Sequence, residues 1–366
     1  MPGLEFSVPY NNDPKTLDKL FELKNLNGNS ISEVYLSGPQ SKSAAGRIVE
    51  EIDEARFVEI TGLIHKNGIR VNLIMNATCE GTGWYASDAV KEMVSFINQM
   101  HENGSIDAVT MANPIFIKTL RKTNPDIEIC ASVLGDIDCM QRALIFAASG
   151  ASTITPDTTI NRNLELLKEI KQKTGVKIKL MVNEGCLYKC PYRKFHLNYI
   201  SHKSTEIGEV SGDAFYAGCS DITREDHSQI LKSGWIRPED LSKYTDVTSF
   251  FKIVGREQPL AHVIRSVKAY IKERWNGDLL DIMCSNLSKY ALDYGAGLDN
   301  QALGEMGFFV KTITCNYECN SCDYCNKLAE KLIRLECLTR GKLEDLGHAE
   351  LADRLEASGV IPKLDS

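Results

Sequence analysis

The sequence predicts an α/β protein folded as a closed barrel of eight parallel βα units, and three observations predict it. Short β-rich apolar runs alternate with amphipathic helical stretches eight times, the rhythm of parallel strands joined by crossover helices. Eight units are what a closed barrel requires, whereas an open doubly wound sheet carries no such requirement. The first strand also lacks the glycine-rich phosphate turn with which open sheets of that kind usually begin. The expected architecture is a TIM-like (β/α)8 barrel over 1–277 with a long insertion at about 186–248 between strands seven and eight, then a Cys-rich, mainly helical C-terminal extension over 278–366.

The elements follow in order. A first strand over 4–10 stops at Asn11-Asn12-Asp13, and Leu17, Leu20, Phe21 and Leu23 then recur at helical spacing. A second strand over 33–36 ends in Ser37-Gly38-Pro39, and a helix carrying Ile48, Ile52, Ala55, Phe57 and Ile60 follows. Strands over 69–75, 106–111, 127–133 and 153–155 lead into Asn76-Ala77-Thr78-Cys79, Ala112-Asn113-Pro114, Leu134-Gly135-Asp136 and Pro156-Asp157, each turn preceding a helical pattern. The seventh strand covers 176–182. The eighth, over 249–256, precedes a helix through His262, Val263, Val267, Tyr270 and Ile271.

The seventh strand runs directly into Asn183-Glu184-Gly185-Cys186-Leu187-Tyr188-Lys189-Cys190-Pro191-Tyr192-Arg193. Gly185 and Pro191 keep this stretch out of regular structure, at the strand end where barrels place their chemistry. Cys186 and Cys190, with Cys219 of Gly218-Cys219-Ser220, form a soft donor set suited to iron–sulfur or zinc. Free cysteine is also an ordinary core residue, but a close pair beside Gly and Pro favours ligation. An insertion of about 65 residues far exceeds an ordinary βα loop and is expected to be functional.

The extension holds the densest ligand run, Cys315, Cys319, Cys322 and Cys325, at spacings of four, three and three positions. Such a run can wrap one cubane or a tetrahedral zinc. Its first three members have the spacing of radical S-adenosylmethionine enzymes, yet they stand after the barrel, and a fourth thiol would close the iron position that chemistry needs.

The chain has 366 residues, 43% hydrophobic and 25% charged, with a net charge of −7. That is the composition of a soluble globular protein and argues against a DNA-binding surface. The N-terminus has neither a basic nor an apolar leader region, and no apolar run reaches the roughly 18 residues of a spanning helix, so a cytoplasmic protein without a membrane partner is expected. Twelve cysteines in that compartment stay reduced, which favours metal ligation over disulfides.

The sequence resembles the U32 (collagenase-like) peptidase family over roughly residues 4–275. The carriers are Asn183–Cys186 with Cys190–Arg193, the His196/His202 stretch, Gly218-Cys219-Ser220, Ile236-Arg237-Pro238-Glu239-Asp240-Leu241 and Phe251-Lys252-Ile253-Val254-Gly255-Arg256. The resemblance implies a TIM-like barrel. It also implies either a peptidase or an iron–sulfur protein of oxygen-independent hydroxylation, acting on tRNA, rRNA or a ubiquinone precursor with prephenate as the expected oxygen source, some members working in heteromeric pairs. Carried over by position, Cys186, Cys190 and Cys219 are three ligands of a [4Fe-4S] cluster. One branch takes its fourth ligand from the loop after the second strand, which here has no cysteine. Cys79 is the best substitute, with Cys284 next. The run Cys315–Cys325 would hold a second [4Fe-4S] cluster or zinc.

Asn76, Thr78, Asn113, Asp136, Asp157, Asn183, Glu184 and Arg256 are expected on the same rim. Glu184 is the candidate general acid or base, Arg193 and Arg256 are candidate grips for a carboxylate or phosphate, and His196 is a candidate for proton transfer. Three of these have a structural alternative: loop capping for Glu184, a salt bridge to Glu257 or Asp240 for Arg256, a backbone bond for His196. The leading expectation is an iron–sulfur barrel enzyme that modifies a small aromatic or nucleobase-containing substrate, most directly by O2-independent hydroxylation. The alternatives are a cluster-carrying partner of a second barrel subunit or electron donor, and a thiol peptidase using a Cys with His196 or His202. No Gly-x-Ser-x-Gly or His-Glu-x-x-His motif supports other hydrolase chemistry.

Overall fold

The computed structural model describes residues 3–39, 45–46, 52–202, 213–335 and 339–357. Eight strands surround one axis: β1 (Glu5–Pro9), β2 (Asn29–Ser37), β3 (Arg70–Met75), β4 (Ala108–Met111), β5 (Glu128–Ala131), β6 (Thr153–Ile154), β7 in two halves (Lys177–Ile178 and Leu180–Met181) and β8 (Phe250–Lys252). Each pairs in parallel with the next, and β8 pairs with β1. Strand β7 closes the ring: its first half pairs Ile178 with Ile154, its second pairs Met181 with Lys252. Between them the Lys179 amide still donates to the Ile154 carbonyl at 2.9 Å. The barrel predicted from the βα rhythm is the observed fold.

Helices α1 (Pro14–Leu23), α2 (Glu54–Lys66), α3 (Ser87–Glu102), α4 (Pro114–Thr123), α5 (Met140–Ala148) and α6 (Leu164–Thr174) follow the first six strands. The insertion supplies α7 (Arg193–His202), α8 (Ala214–Glu225) and α9 (Ser228–Lys232), and α10 (Leu260–Ile271) follows β8. Several starts are fixed locally. The side chains of Asp13, Asp53, Asn113 and Asn163 accept from amides in the first turns of α1, α2, α4 and α6, satisfying donors that a helix leaves orphaned. The Asp53 cap also corrects the expected start of the second helix: Ile52 precedes it, and Ile48 lies outside the described residues.

Strand alternation divides the molecule into two chemistries. Phe6, Val8, Val34, Leu36, Leu73, Val109, Ile129, Ile178, Leu180 and Phe251 join the helix faces in one large apolar core. Their neighbours point into the barrel and are polar: Ser7, Glu33, Asn72, Thr110, Thr153, Lys179 and Lys252 are all buried. Lys179 Nζ meets Glu33 Oε1 at 2.6 Å with both side chains 0% exposed. The interior of this barrel is therefore a buried polar column, where branched apolar residues usually dominate.

The extension packs onto the barrel; Leu280, Leu287, Leu303, Phe308 and Leu328 belong to the same core. It contains α11 (Asn286–Tyr294), α12 (Asn300–Glu305), α13 (Phe308–Thr312) and α14 (Tyr324–Leu332). Helix α14 ends at Leu332. Residues Ile333–Leu335 form a strand paired antiparallel with Ala296–Leu298, because a partner strand and the β-branched Ile333 outweigh helix propensity there. Among the described residues, no helix is long and apolar enough to cross a membrane.

Candidate functional site

Two adjoining cavities open at the C-terminal ends of the strands. The inner one, about 60 Å³, sits over the polar column and is lined by Tyr35, Asn76, Ser132, Thr155, Lys252 and Arg256 among others. The outer one, about 420 Å³, is lined by Cys186, Cys190, Arg193, His196, Asp213 and Lys289 among others. Glu184, Leu197 and Glu257 line both, so the two share a wall. Strand β7 explains Glu184: it lies just beyond Met181, its backbone bridges Cys284, and the residue is 5% exposed.

Around Arg193 the site is strongly acidic. Glu184 Oε2 lies 3.5 Å from the guanidinium, Asp157 Oδ2 3.6 Å and Asp136 Oδ1 3.7 Å. Burial opposes the charge on Arg193, but Glu184, Cys186, Asp157 and Asp136 outweigh it and hold its pKa well above the usual range. Arg193 thus gathers three strand-end carboxylates instead of facing open space. His196 meets Asp213 at 3.1 Å and stacks on Phe215 with centroids 5.4 Å apart, while Asp213 caps α8 through the amides of Phe215 and Tyr216. Arg256 lines the inner cavity and donates to Ser37 Oγ. The four candidate catalytic residues, Glu184, Arg193, His196 and Arg256, are therefore brought together around the joined cavities.

The candidate ligands divide. The Cys186 thiol donates to Glu184 Oε1 at 3.8 Å. Cys190 packs on the cluster of Leu187, Tyr216 and Cys219. The Cys219 thiol donates to the Tyr216 carbonyl at 3.2 Å and accepts from Asn286 Nδ2 at 3.0 Å. Burial pushes the Cys190 thiol up, and burial with Cys190 nearby pushes Cys219 up to about 12. Among the described residues, no three Cys, His, Asp or Glu side chains stand close enough to hold a metal ion. In donor type Cys186, Cys190 and Cys219 suit a thiolate-held centre, but their present spacing does not form one. Holding it would require them to close together and lose their protons.

Cys79 stands elsewhere, its sulfur 3.1 Å from His202 Nε2 at the end of α7. Cys284 is fully buried and donates to the Val254 carbonyl at 3.0 Å. In the extension Cys315, Cys319 and Cys322 are exposed, and burial pushes half-buried Cys325 up to about 11. This run lies against the first loop, with Tyr317 stacked on Tyr188.

Sequence reasoning missed Lys252, Tyr35, Asp213 and Asn286. The signal for Lys252 was present: a lysine inside Phe250-Phe251-Lys252-Ile253-Val254 must point into the barrel if its neighbours face the helices. Asp213 and Asn286 have no local signal, since only folding brings them to His196 and Cys219.

Fold and site together define a closed (β/α)8 barrel with a cysteine-lined mouth. The profile described as Peptidase family U32 matches residues 19–277, and the chain belongs to that family. Among curated proteins it is 30% identical over 305 residues to a Methanocaldococcus jannaschii protein named "Uncharacterized protease MJ1657", covering 83% of this chain and 89% of that one. Among solved structures, that of the U32 peptidase Mk0906 superposes with a TM-score of 0.50 at 17% identity, covering 69% of this chain and 93% of that one. This last likeness concerns the fold alone.

Proposed function

We propose that the chain is an iron–sulfur-dependent barrel enzyme that modifies an aromatic ring or nucleobase, by hydroxylation with an organic oxygen donor instead of O2. One observation carries the reading: Cys186 and Cys190 line the outer cavity, Cys219 packs behind Cys190, and that cavity meets the polar inner well at Glu184. A cluster held by the three cysteines would supply a redox-active or Lewis-acidic iron at this wall. Glu184 holds or moves a proton at its carboxylate, between the cysteine wall and the inner well. Arg193 holds the carboxyl groups of Asp136, Asp157 and Glu184 around one guanidinium, and Asp213 orients His196 at the rim.

Anaerobic purification tests this through iron, sulfide and zinc per chain. The expected result is about four irons with matching sulfide for each cluster, with the cavity cluster lost in Cys186→Ala/Cys190→Ala. Loss in Cys319→Ala/Cys322→Ala would reveal a second cluster in the extension. Zinc without sulfide would overturn the reading.

A thiol peptidase is favoured by a different observation, the 3.1 Å contact of Cys79 with His202, since an imidazole can activate a neighbouring thiol. Peptide cleavage by iron-free protein, abolished in Cys79→Ser, would establish it. Iron-free protein without cleavage would remove it.

A further inference from the structure

Lys252 ends β8 inside the barrel, 8% exposed, and lines the inner well. Its Nζ sits 4.0 Å from the centroid of the Tyr35 ring, and the Arg256 guanidinium carbon lies 5.8 Å from the same centroid. The ring is fixed in place, because Tyr35 donates its hydroxyl to the Ile253 carbonyl at 3.0 Å. Among the described residues, no carboxylate reaches ion-pair distance of Lys252. The interior acid, Glu33, is bonded to Lys179, and Glu184 is turned to Arg193. Burial, reinforced by the nearby charge of Lys179, pulls the Lys252 amine down to about 8. A buried ammonium with only an aromatic face beneath it favours an incoming anion.

Size selects the anion. About 60 Å³ admits a few waters or one small planar group, while a ring belongs in the larger outer cavity. Ser132 and Thr155, which line the same well, add hydroxyls able to donate to oxygen. We propose that Lys252 is a carboxylate-binding residue of the inner well, so that the substrate enters acid end first, its carboxylate over Tyr35 and its ring beside Glu184. The inference rests on the barrel mouth being the substrate site and assigns the substrate to the carboxylic acids.

Differential labelling of the intact chain tests it. Lys252 is reductively methylated and quantified by mass spectrometry, alone and with benzoate, benzamide or inorganic phosphate. Benzoate should slow modification saturably by about tenfold, the weight of one charge-assisted contact, and neutral benzamide should not. In calorimetry Lys252→Arg should retain benzoate binding, and Lys252→Met should lose about tenfold. Equal labelling with and without benzoate, protection by phosphate alone, or undiminished binding by Lys252→Met would each overturn the assignment. The labelling needs no variant, so a misfolded Lys252→Met leaves it decisive. Measuring iron and sulfide on the same anaerobically purified wild-type chain separates the two readings. Protection in a chain that never binds iron would sink only the cluster, and iron without protection would sink only the carboxylate site.

Discussion

Tyr188 and Tyr317 lie face to face, ring centroids 4.5 Å apart and planes within 1°. Tyr188 belongs to the Cys186–Cys190 loop and Tyr317 to the Cys315–Cys325 run, so one aromatic contact joins the two cysteine groups. Each loop also holds a non-glycine residue at positive φ, Lys189 at 50° and Tyr317 itself at 60°, conformations that persist only where packing enforces them.

Removing that contact should loosen the mouth of the barrel. Tyr317→Ala is expected to cost about 1 kcal/mol of local stability and to speed hydrogen exchange of the 186–190 amides severalfold, with the barrel strands unaffected. Unchanged exchange in that loop would mean that other contacts hold it.

The buried pair Lys179–Glu33 sets the stability of the polar column. Burial opposes the Glu33 charge, but the ion pair and hydrogen bonds from Lys179 and Ser7 outweigh it and hold the carboxyl below its usual range. Lys179→Met strands that carboxylate and should cost about 3–5 kcal/mol in urea unfolding. Adding Glu33→Leu should recover most of the loss, because two apolar groups leave no buried charge. A double variant as unstable as the single one would contradict this.

His262 should govern part of the acid limb of stability. Burial, aided by the charge of Arg265, pulls its imidazole down to about 4, beside Cys284 Sγ at 3.5 Å. The unfolded chain protonates this histidine near pH 6.5 and the folded chain near 4. Its contribution is therefore complete above about pH 6.5 and is lost as pH falls toward 4, by roughly 3 kcal/mol in total. Unfolding free energy measured from pH 7 to 4 should fall less steeply in His262→Gln. Parallel curves for the two proteins would refute the assignment.

The sequence by itself determined the barrel, because each βα unit writes its period locally: Ile178, Leu180 and Phe251 alternate with inward-facing neighbours, and turns such as Asn11-Asn12-Asp13 and Ala112-Asn113-Pro114 separate strand from helix. It also located the mouth, since Asp136, Asp157 and Glu184 each follow a strand end. Tertiary structure alone decided the partners. Arg193 collects those three carboxylates, Cys79 turns to His202, Tyr317 finds Tyr188, and Ile333 leaves a helical pattern to pair with Leu298. The reason is physical. Periodicity reports which face of an element is buried, but a contact between residues distant in sequence depends on which surfaces the closed barrel brings together, and no local pattern encodes that.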